Sequence, residues 1–222
     1  MTSKERVHAA LHKALLDLAA DPELSTKMLA EAGAFARRLA KIVCEQMPLD
    51  WLWTGDDVAG QERMMMSPQS WRKTIRPHLA EVVKAGKDKG LWVAHHCCGA
   101  TRAIIPDLIE MDVDVLNLVQ GNCPGMDPVE LKQEYGAVLA FMGGIDIQEL
   151  LPESTAAEVR RETEYLIEKM TADGGGYIVA ASHVVPHETP LENVFAIYEA
   201  AGVSREEIFD RAAKMRQPNQ VK

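Results

Sequence analysis

The sequence predicts an α/β protein built on a parallel sheet. Five apolar runs of strand length alternate with amphipathic segments of helix length, the order expected when parallel strands are joined by helical crossovers. The chain has 222 residues, of which 47% are hydrophobic, enough for one well-buried core. We therefore expect a single domain over residues 1–222.

The predicted elements follow one another in five strand–helix units. The strands are short apolar runs, predicted at residues 49–53, 91–95, 113–118, 138–142 and 177–181. The helices begin at cap residues or prolines, near residues 67–68, 101, 127–128, 155 and 190, and a last helix is predicted at 204–215. Thr155 and Glu158 have the spacing of a capping box. This pattern fits both a doubly wound sheet and a (β/α)8 barrel, and both place chemistry at the carboxyl ends of the strands.

Composition excludes several classes of partner. A formal charge of −9 argues against nucleic acid or an anionic membrane surface. No apolar run has the length of a membrane span, and residues 1–6 lack the apolar core of a signal peptide. Four cysteines, two of them adjacent, do not resemble a disulfide framework, so we expect a cytoplasmic protein.

The run His95-His96-Cys97-Cys98-Gly99 at the end of the second strand is the most informative segment. Alternation along a strand places His96 and Cys98 on one face, with His95 and Cys97 on the other. Imidazole and thiolate are zinc ligands, and a catalytic zinc usually has three protein ligands and one open position. His183, after the fifth strand, is the candidate third ligand, and His187 is its nearby rival.

The other strand ends also carry polar residues. Asp57 and Gln61 follow the first strand, Asn117 and Gln120 belong to the end of the third, and Asp146 follows the fourth. Asp57 is a better candidate for a functional carboxylate than its neighbour, which has the position of a turn cap. For Asp146, which follows two glycines, the sequence leaves a turn role and a functional role open.

These residues carry a resemblance to a known family. His96-Cys97-Cys98-Gly99 fits the H-x-C-G motif of the uroporphyrinogen decarboxylase superfamily, in its corrinoid-dependent methyltransferase branch. The other matching segments lie at strand ends and helix starts: Gly55-Asp56-Asp57-Val58-Ala59-Gly60-Gln61, Asp114-Val115-Leu116-Asn117-Leu118-Val119-Gln120, Gly125-Met126-Asp127-Pro128, Gly143-Gly144-Ile145-Asp146, Gly174-Gly175-Gly176-Tyr177-Ile178, Ser182-His183 and Thr189-Pro190-Leu191-Glu192-Asn193. The opening segment, residues 2–12, resembles the family's first helix.

The resemblance implies a (β/α)8 TIM-barrel-type fold that is shortened in its N-terminal part, because a barrel has eight strands and ~250 residues. It also implies zinc held by His96 and Cys98 and by a ligand after a later strand, where related coenzyme M methyltransferases have a Cys and this chain has His183. The expected reaction moves a methyl group between a small methylated substrate or a thiol and a corrinoid (cobalamin) on a partner protein.

In that interpretation Asp57 and Asp146 act as catalytic carboxylates, and Gln61, Asn117 and Gln120 orient the substrate. The alternatives are a decarboxylase, whose arginine-rich N-terminal segment is not found here, and a shortened relative that only binds. A shortened barrel exposes sheet edges, which makes self-association into a homo-oligomer a further hypothesis.

Overall fold

The computed structural model describes residues 20–216, so the family-like opening helix expected at residues 2–12 lies outside the described residues. Five strands form one sheet: β1 (Trp51–Gly55), β2 (Trp92–His96), β3 (Val115–Val119), β4 (Ala140–Ile145) and β5 (Tyr177–Ala181). Their order in the sheet is β1-β2-β3-β4-β5, and β2 to β5 pair in parallel.

The strand order decides between the two architectures left open by the sequence. A doubly wound sheet reverses its strand order at a switch point, whereas in a barrel each strand lies beside the next along the chain. Here spatial order equals chain order throughout the five strands. The fold is therefore of the TIM-barrel type, with five recognisable βα units, as predicted.

The helices that accompany these strands are α1 (Pro22–Gln46), α2 (Pro68–Thr74), α3 (Arg76–Lys87), α4 (Ile105–Glu110), α5 (Pro128–Tyr135), α6 (Leu150–Glu153), α7 (Ala156–Met170), α8 (Leu191–Ala200) and α9 (Arg205–Arg216), with a 3-10 turn at Arg102–Ile104 before α4. The predicted capping box is present, since Thr155 and Glu158 bond to each other's backbone amides. The sequence pattern predicts no element at α1, which begins with Asp21 as N-cap and Pro22 in its first turn. None of the helices within residues 20–216 has the length and apolar character needed to cross a membrane.

The chain forms two compact units, and the first contains residues up to Thr54, Met66–Val93 and Pro106–Val113. Helix α1 packs against α3 in this unit. Gly86 of α3 lets the helix approach the strands closely, because a Cβ there would lie 2.9 Å from Leu52 and 3.1 Å from Val93. The carboxylate of Asp107, which is buried, accepts hydrogen bonds from the guanidinium of Arg72.

The second unit comprises Gly55–Met65, Ala94–Ile105 and the chain from Asp114 onward, and it holds every site residue predicted from the sequence. Its β-strands are covered by α7 and α8, whose apolar faces meet the end of β4 and helix α6 in a core of Ile145, Leu151, Val159, Leu166, Ala196 and Ile197. Tyr177, Val179 and Ala181 of β5 pack against the same core, which therefore holds the carboxyl ends of β4 and β5 in place for the loops that follow them.

Candidate metal site

Three side chains from the ends of β2 and β5 meet in the second unit. His96 is the last residue of β2, Cys98 follows two residues later, and His183 lies two residues beyond β5. Their ligand atoms all lie within 4.8 Å of one another, and Cys98 Sγ is 3.4 Å from His96 Nε2. Tetrahedral zinc with ordinary Zn–N and Zn–S bonds separates such a nitrogen and sulfur by about 3.6 Å. The donor set and the distance between His96 and Cys98 therefore fit zinc.

The loop that carries Cys98 explains the glycine of the motif. Strand β2 ends at His96, so Cys98 reaches its position through a turn rather than through strand alternation. Gly99 has φ +82°, and a Cβ there would lie 2.3 Å from the carbonyl oxygen of Gly60. The same oxygen accepts a hydrogen bond from the amide of Ala100, at 3.0 Å. Only glycine allows this close approach of the two loops.

Asn117 orients the ring of His96. The two residues are register partners in the β2–β3 pair, and the Oδ1 of Asn117 lies 2.6 Å from Nδ1 of His96. With Nδ1–H donating to this oxygen, Nε2 carries the lone pair and faces Cys98. The same arrangement is found around metal-binding histidines, in which the other ring nitrogen is held by an oxygen acceptor.

Asp57 and Gln120 hold the turn after β2 from two sides. Asp57 Oδ1 accepts the backbone N–H of Cys98 at 3.2 Å and lies 3.8 Å from His96 Nε2, while the rest of its carboxylate faces solvent, with the side chain 61% exposed. The buried Gln120 accepts the backbone N–H of Gly99 through Oε1, at 2.8 Å. Both side chains thus fix the backbone next to Cys98.

The neighbouring polar residues lie behind the strand. His95 and Cys97 are fully buried, and His95 Nε2 is 3.3 Å from Asp56 Oδ1. Burial raises the pKa of the Cys97 thiol to about 12. Burial, followed by the nearby carboxylate of Asp57, raises the pKa of Cys98 to about 11.

Asp146 lies at the end of β4 and caps the next helix. Its Oδ1 accepts the N–H of Gln148 at 3.0 Å, and its Oδ2 accepts those of Glu149 and Leu150 at 2.9 and 3.1 Å. These contacts correspond to the turn role that the sequence left open. The catalytic role for Asp146 stays a prediction.

A small cluster of side-chain amides includes residues that the sequence reasoning missed. Gln61 was predicted, and its Nε2 donates to Oε1 of Gln148 at 3.0 Å. Asn122 donates to the same oxygen at 2.5 Å. Their positions in the sequence could have indicated them. Asn122 lies two residues after the candidate Gln120, and Gln148 lies two residues after the candidate Asp146.

Comparison with known proteins adds three findings. The family model described as Uroporphyrinogen decarboxylase (URO-D) matches residues 8–202. Uroporphyrinogen decarboxylases from two strains of Thermus thermophilus are each 26% identical over 134 residues, or 60% of this chain. A solved structure described as "methyltransferase from Methanosarcina mazei" superposes with a TM-score of 0.66 at 19% identity over 90% of this chain, which shows a common fold.

The matches cover only part of these longer proteins. The aligned region is 37% of the length of the Thermus decarboxylases, and the superposed region is 54% of the Methanosarcina structure.

Proposed function

The chain belongs to the uroporphyrinogen decarboxylase family, and we propose from this that it is a zinc-dependent methyltransferase acting with a corrinoid protein. The observation that carries the proposal is the convergence of three zinc-type ligand atoms, from His96, Cys98 and His183, within 4.8 Å of one another. A decarboxylase mechanism that uses no metal gives this cluster no role. The resemblance of its H-x-C-G segment to the methyltransferase branch supports the same assignment.

His96, Cys98 and His183 would hold the zinc, leaving one coordination position for a substrate. When bound, zinc would supply Lewis-acid chemistry, either lowering the pKa of an acceptor thiol or polarising the oxygen of a methyl ether. Soft and borderline ligands of this kind favour zinc over magnesium or calcium, which prefer oxygen.

The remaining residues position the ligands and the substrate. Asn117 fixes the ring of His96, and Gln120 fixes the turn that carries Cys98. Asp57 is the exposed carboxylate beside these ligands, so in this proposal it accepts the proton that a substrate thiol gives up. The amides of Gln61 and Gln148 are exposed and offer hydrogen bonds that orient a small polar substrate.

The proposed reaction balances without an outside oxidant. An acceptor thiol loses its proton to Asp57 or solvent, and the sulfur's electron pair forms the new bond to the methyl carbon. The bond between that carbon and the corrinoid cobalt of the partner protein breaks, and its electron pair stays on cobalt. Transfer from a small methylated donor to the corrinoid is the same exchange in the opposite direction.

The test is the metal content of the purified protein, measured by mass spectrometry. We expect about one zinc per chain in the wild type, and its loss in Cys98→Ser. Cys97→Ala is the matched control, because Cys97 is adjacent but buried behind the strand, and it should keep its zinc. A wild-type protein that neither contains zinc nor binds it on addition would refute the proposal.

A decarboxylase is the second candidate, and the 26% identity to the Thermus decarboxylases favours it. The two functions differ in their dependence on the ligand set. Release of carbon dioxide from a porphyrinogen, unchanged in Cys98→Ser, would establish the decarboxylase. Zinc-dependent methylation of a thiol by a methylated corrinoid would establish the methyltransferase. Full zinc occupancy without either reaction would indicate a relative that only binds.

A further inference from the structure

The carboxylate of Asp57 lies beside two of the three candidate metal ligands. Its Oδ1 is 3.8 Å from His96 Nε2, the ring nitrogen that faces Cys98, and it accepts the backbone N–H of Cys98 at 3.2 Å. When a carboxylate oxygen and an imidazole nitrogen bind the same tetrahedral zinc, the two atoms are about 3.4 Å apart. The observed separation is therefore close to that of two ligands of one ion.

The other carboxylates at the strand ends have different partners. Asp56 Oδ1 lies 3.3 Å from Nε2 of His95, which is fully buried behind the strand. Asp146 uses both of its oxygens to cap α6. The side chain of Asp57 is 61% exposed, and no Lys or Arg among residues 20–216 forms an ion pair with it. A metal ion held by the neighbouring ligands would be the cation that this carboxylate faces.

The charge of the ligand set favours an anion in the fourth position. The imidazoles of His96 and His183 bind a metal as neutral ligands, and the thiolate of Cys98 contributes one negative charge. A zinc ion carries two positive charges, so these three ligands leave the site with one positive charge. Carboxylate oxygen is an ordinary zinc ligand, and Asp57, which belongs to the same unit as the three ligands, would make the site neutral.

Given the zinc-dependent function proposed above, on which this assignment rests, we propose that Asp57 is the fourth metal ligand when no substrate is bound and that a substrate thiol takes its place. In the exchange, the bond between the metal and the Asp57 oxygen breaks and a bond between the metal and the thiol sulfur forms. The proton of the thiol passes to the carboxylate that has been released beside it. No electron is transferred, so the exchange needs no oxidant or reductant.

Cobalt(II) in place of zinc reports the fourth ligand through its visible absorption spectrum. In the wild type all four ligands come from the protein, so the spectrum should stay constant between about pH 6 and pH 9. Asp57→Asn keeps an oxygen that can accept the N–H of Cys98, but an amide is a weaker metal ligand than a carboxylate, so water should occupy the fourth position. A metal-bound water loses a proton near neutral pH, and the spectrum of this variant should therefore change with pH.

Glu188→Gln is the matched control. Glu188 is a carboxylate of similar exposure, with 59% of its side chain exposed, and it pairs with His187 in the loop that follows His183. Its substitution removes the same charge from the same unit without touching the ligand set, so the cobalt spectrum should stay constant with pH as in the wild type. Circular dichroism verifies that both variants are folded.

A titration of the cobalt protein with 2-mercaptoethanol tests the exchange of ligands. Each bond between cobalt and a thiolate adds absorption in the near ultraviolet, so binding of the thiol should increase this absorption in the wild type. Asp57→Asn should reach half of the increase at about a tenfold lower thiol concentration, because a bound water is displaced more easily than a bound carboxylate.

Three results would overturn the inference. A wild-type cobalt spectrum that changes with pH as in Asp57→Asn would assign the fourth position to water. Half-saturation at the same thiol concentration in both proteins would show that the carboxylate does not compete for the metal, and a thiol that adds no absorption to either protein would exclude the exchange. In each case the protein still binds cobalt, so the proposed metal site would stand. Failure of that site is detected separately, by a wild type that binds neither zinc nor cobalt.

Discussion

The hydrogen bond between Asn117 and His96 provides a sharp test of the metal proposal. Asn117 is buried on β3, and its Oδ1 lies 2.6 Å from His96 Nδ1. Replacing it by leucine, Asn117→Leu, keeps the size of the side chain but removes the oxygen that accepts the hydrogen bond from His96 Nδ1 and so orients the His96 ring. Loss of such a contact behind a metal ligand reduces metal affinity by about 10–100-fold, or about 1.4–2.8 kcal/mol. We expect a zinc dissociation constant raised within this range.

The assay is a competition titration of zinc against a chromophoric chelator, with circular dichroism to verify that the variant is folded. Asn117→Asp is the matched control, because a carboxylate oxygen in the same place can still accept the Nδ1–H hydrogen bond. It should bind zinc within a few-fold of the wild type. A folded Asn117→Leu protein with unchanged zinc affinity would refute the idea that this contact holds His96 as a ligand.

Three further outcomes follow from the structure. His183→Ala should lower zinc affinity by more than the loss of the Asn117 contact does, above about 100-fold, while His187→Ala, at a side chain 99% exposed, should leave the same titration unchanged. Gly99→Ala should lower the free energy of unfolding, measured with urea, by at least about 2 kcal/mol. Gly202→Ala is the control, because Gly202 has a similar positive φ but no atom within 4 Å of the new Cβ, and it should lower the free energy of unfolding by about 1 kcal/mol. Equal losses in the two variants would contradict the steric argument. The capping hydrogen bonds with Thr155 lower the pKa of Glu158. The ionised carboxylate therefore stabilises the fold above the ordinary pKa of Glu, and this stabilisation is lost as the pH falls through the lowered pKa. Glu158→Gln should lose less stability than the wild type between about pH 7 and pH 3, measured as the urea midpoint of unfolding.

The sequence predicts that each of the five strands is present, but it predicts the first and last residues of the strands less well. The fifth strand is predicted at its observed bounds, Tyr177–Ala181, because Gly176 and Ser182 delimit a short apolar run. The first strand is predicted two residues too early. Its observed range, Trp51–Gly55, includes Thr54 and Gly55, which no hydrophobic pattern selects. Pairing with β2 sets this end, since the amide of Asp56 donates to the carbonyl of His96 at 3.0 Å.

Helix α1 is not among the predicted elements, although Asp21 and Pro22 form an ordinary helix start and its sequence is about as amphipathic as that of α7. Its apolar residues fall into a buried and an exposed set. Only the burial pattern separates the two sets, with Ala40 inside and Leu39 outside although they are adjacent. The sequence could therefore have predicted the helix, but not which of its apolar residues are buried.

The residue types of the candidate site could be predicted from the sequence, but the roles of its two carboxylates could not. Asp57 and Asp146 both follow strands and were both assigned to catalysis. Their hydrogen bonds differ: Asp146 accepts three backbone N–H groups, whereas Asp57 accepts one and lies beside His96 with much of its side chain exposed. The catalytic role of each carboxylate stays a prediction. Such hydrogen-bond partners come from the folded backbone and cannot be deduced from spacing.

The distance between His96 and His183 connects the fold to the site. Their strands, β2 and β5, are separated in the sheet by β3 and β4, so in a flat sheet the two strands would lie about 14 Å apart. Yet the two rings have centroids 6.2 Å apart. His183 lies two residues beyond β5, so the loop after this strand and the lengths of the two side chains span part of the separation. The strands of a barrel-type sheet tilt and curve around a common axis, which shortens the remaining distance. The third ligand therefore depends both on the fold and on the course of the loop after β5.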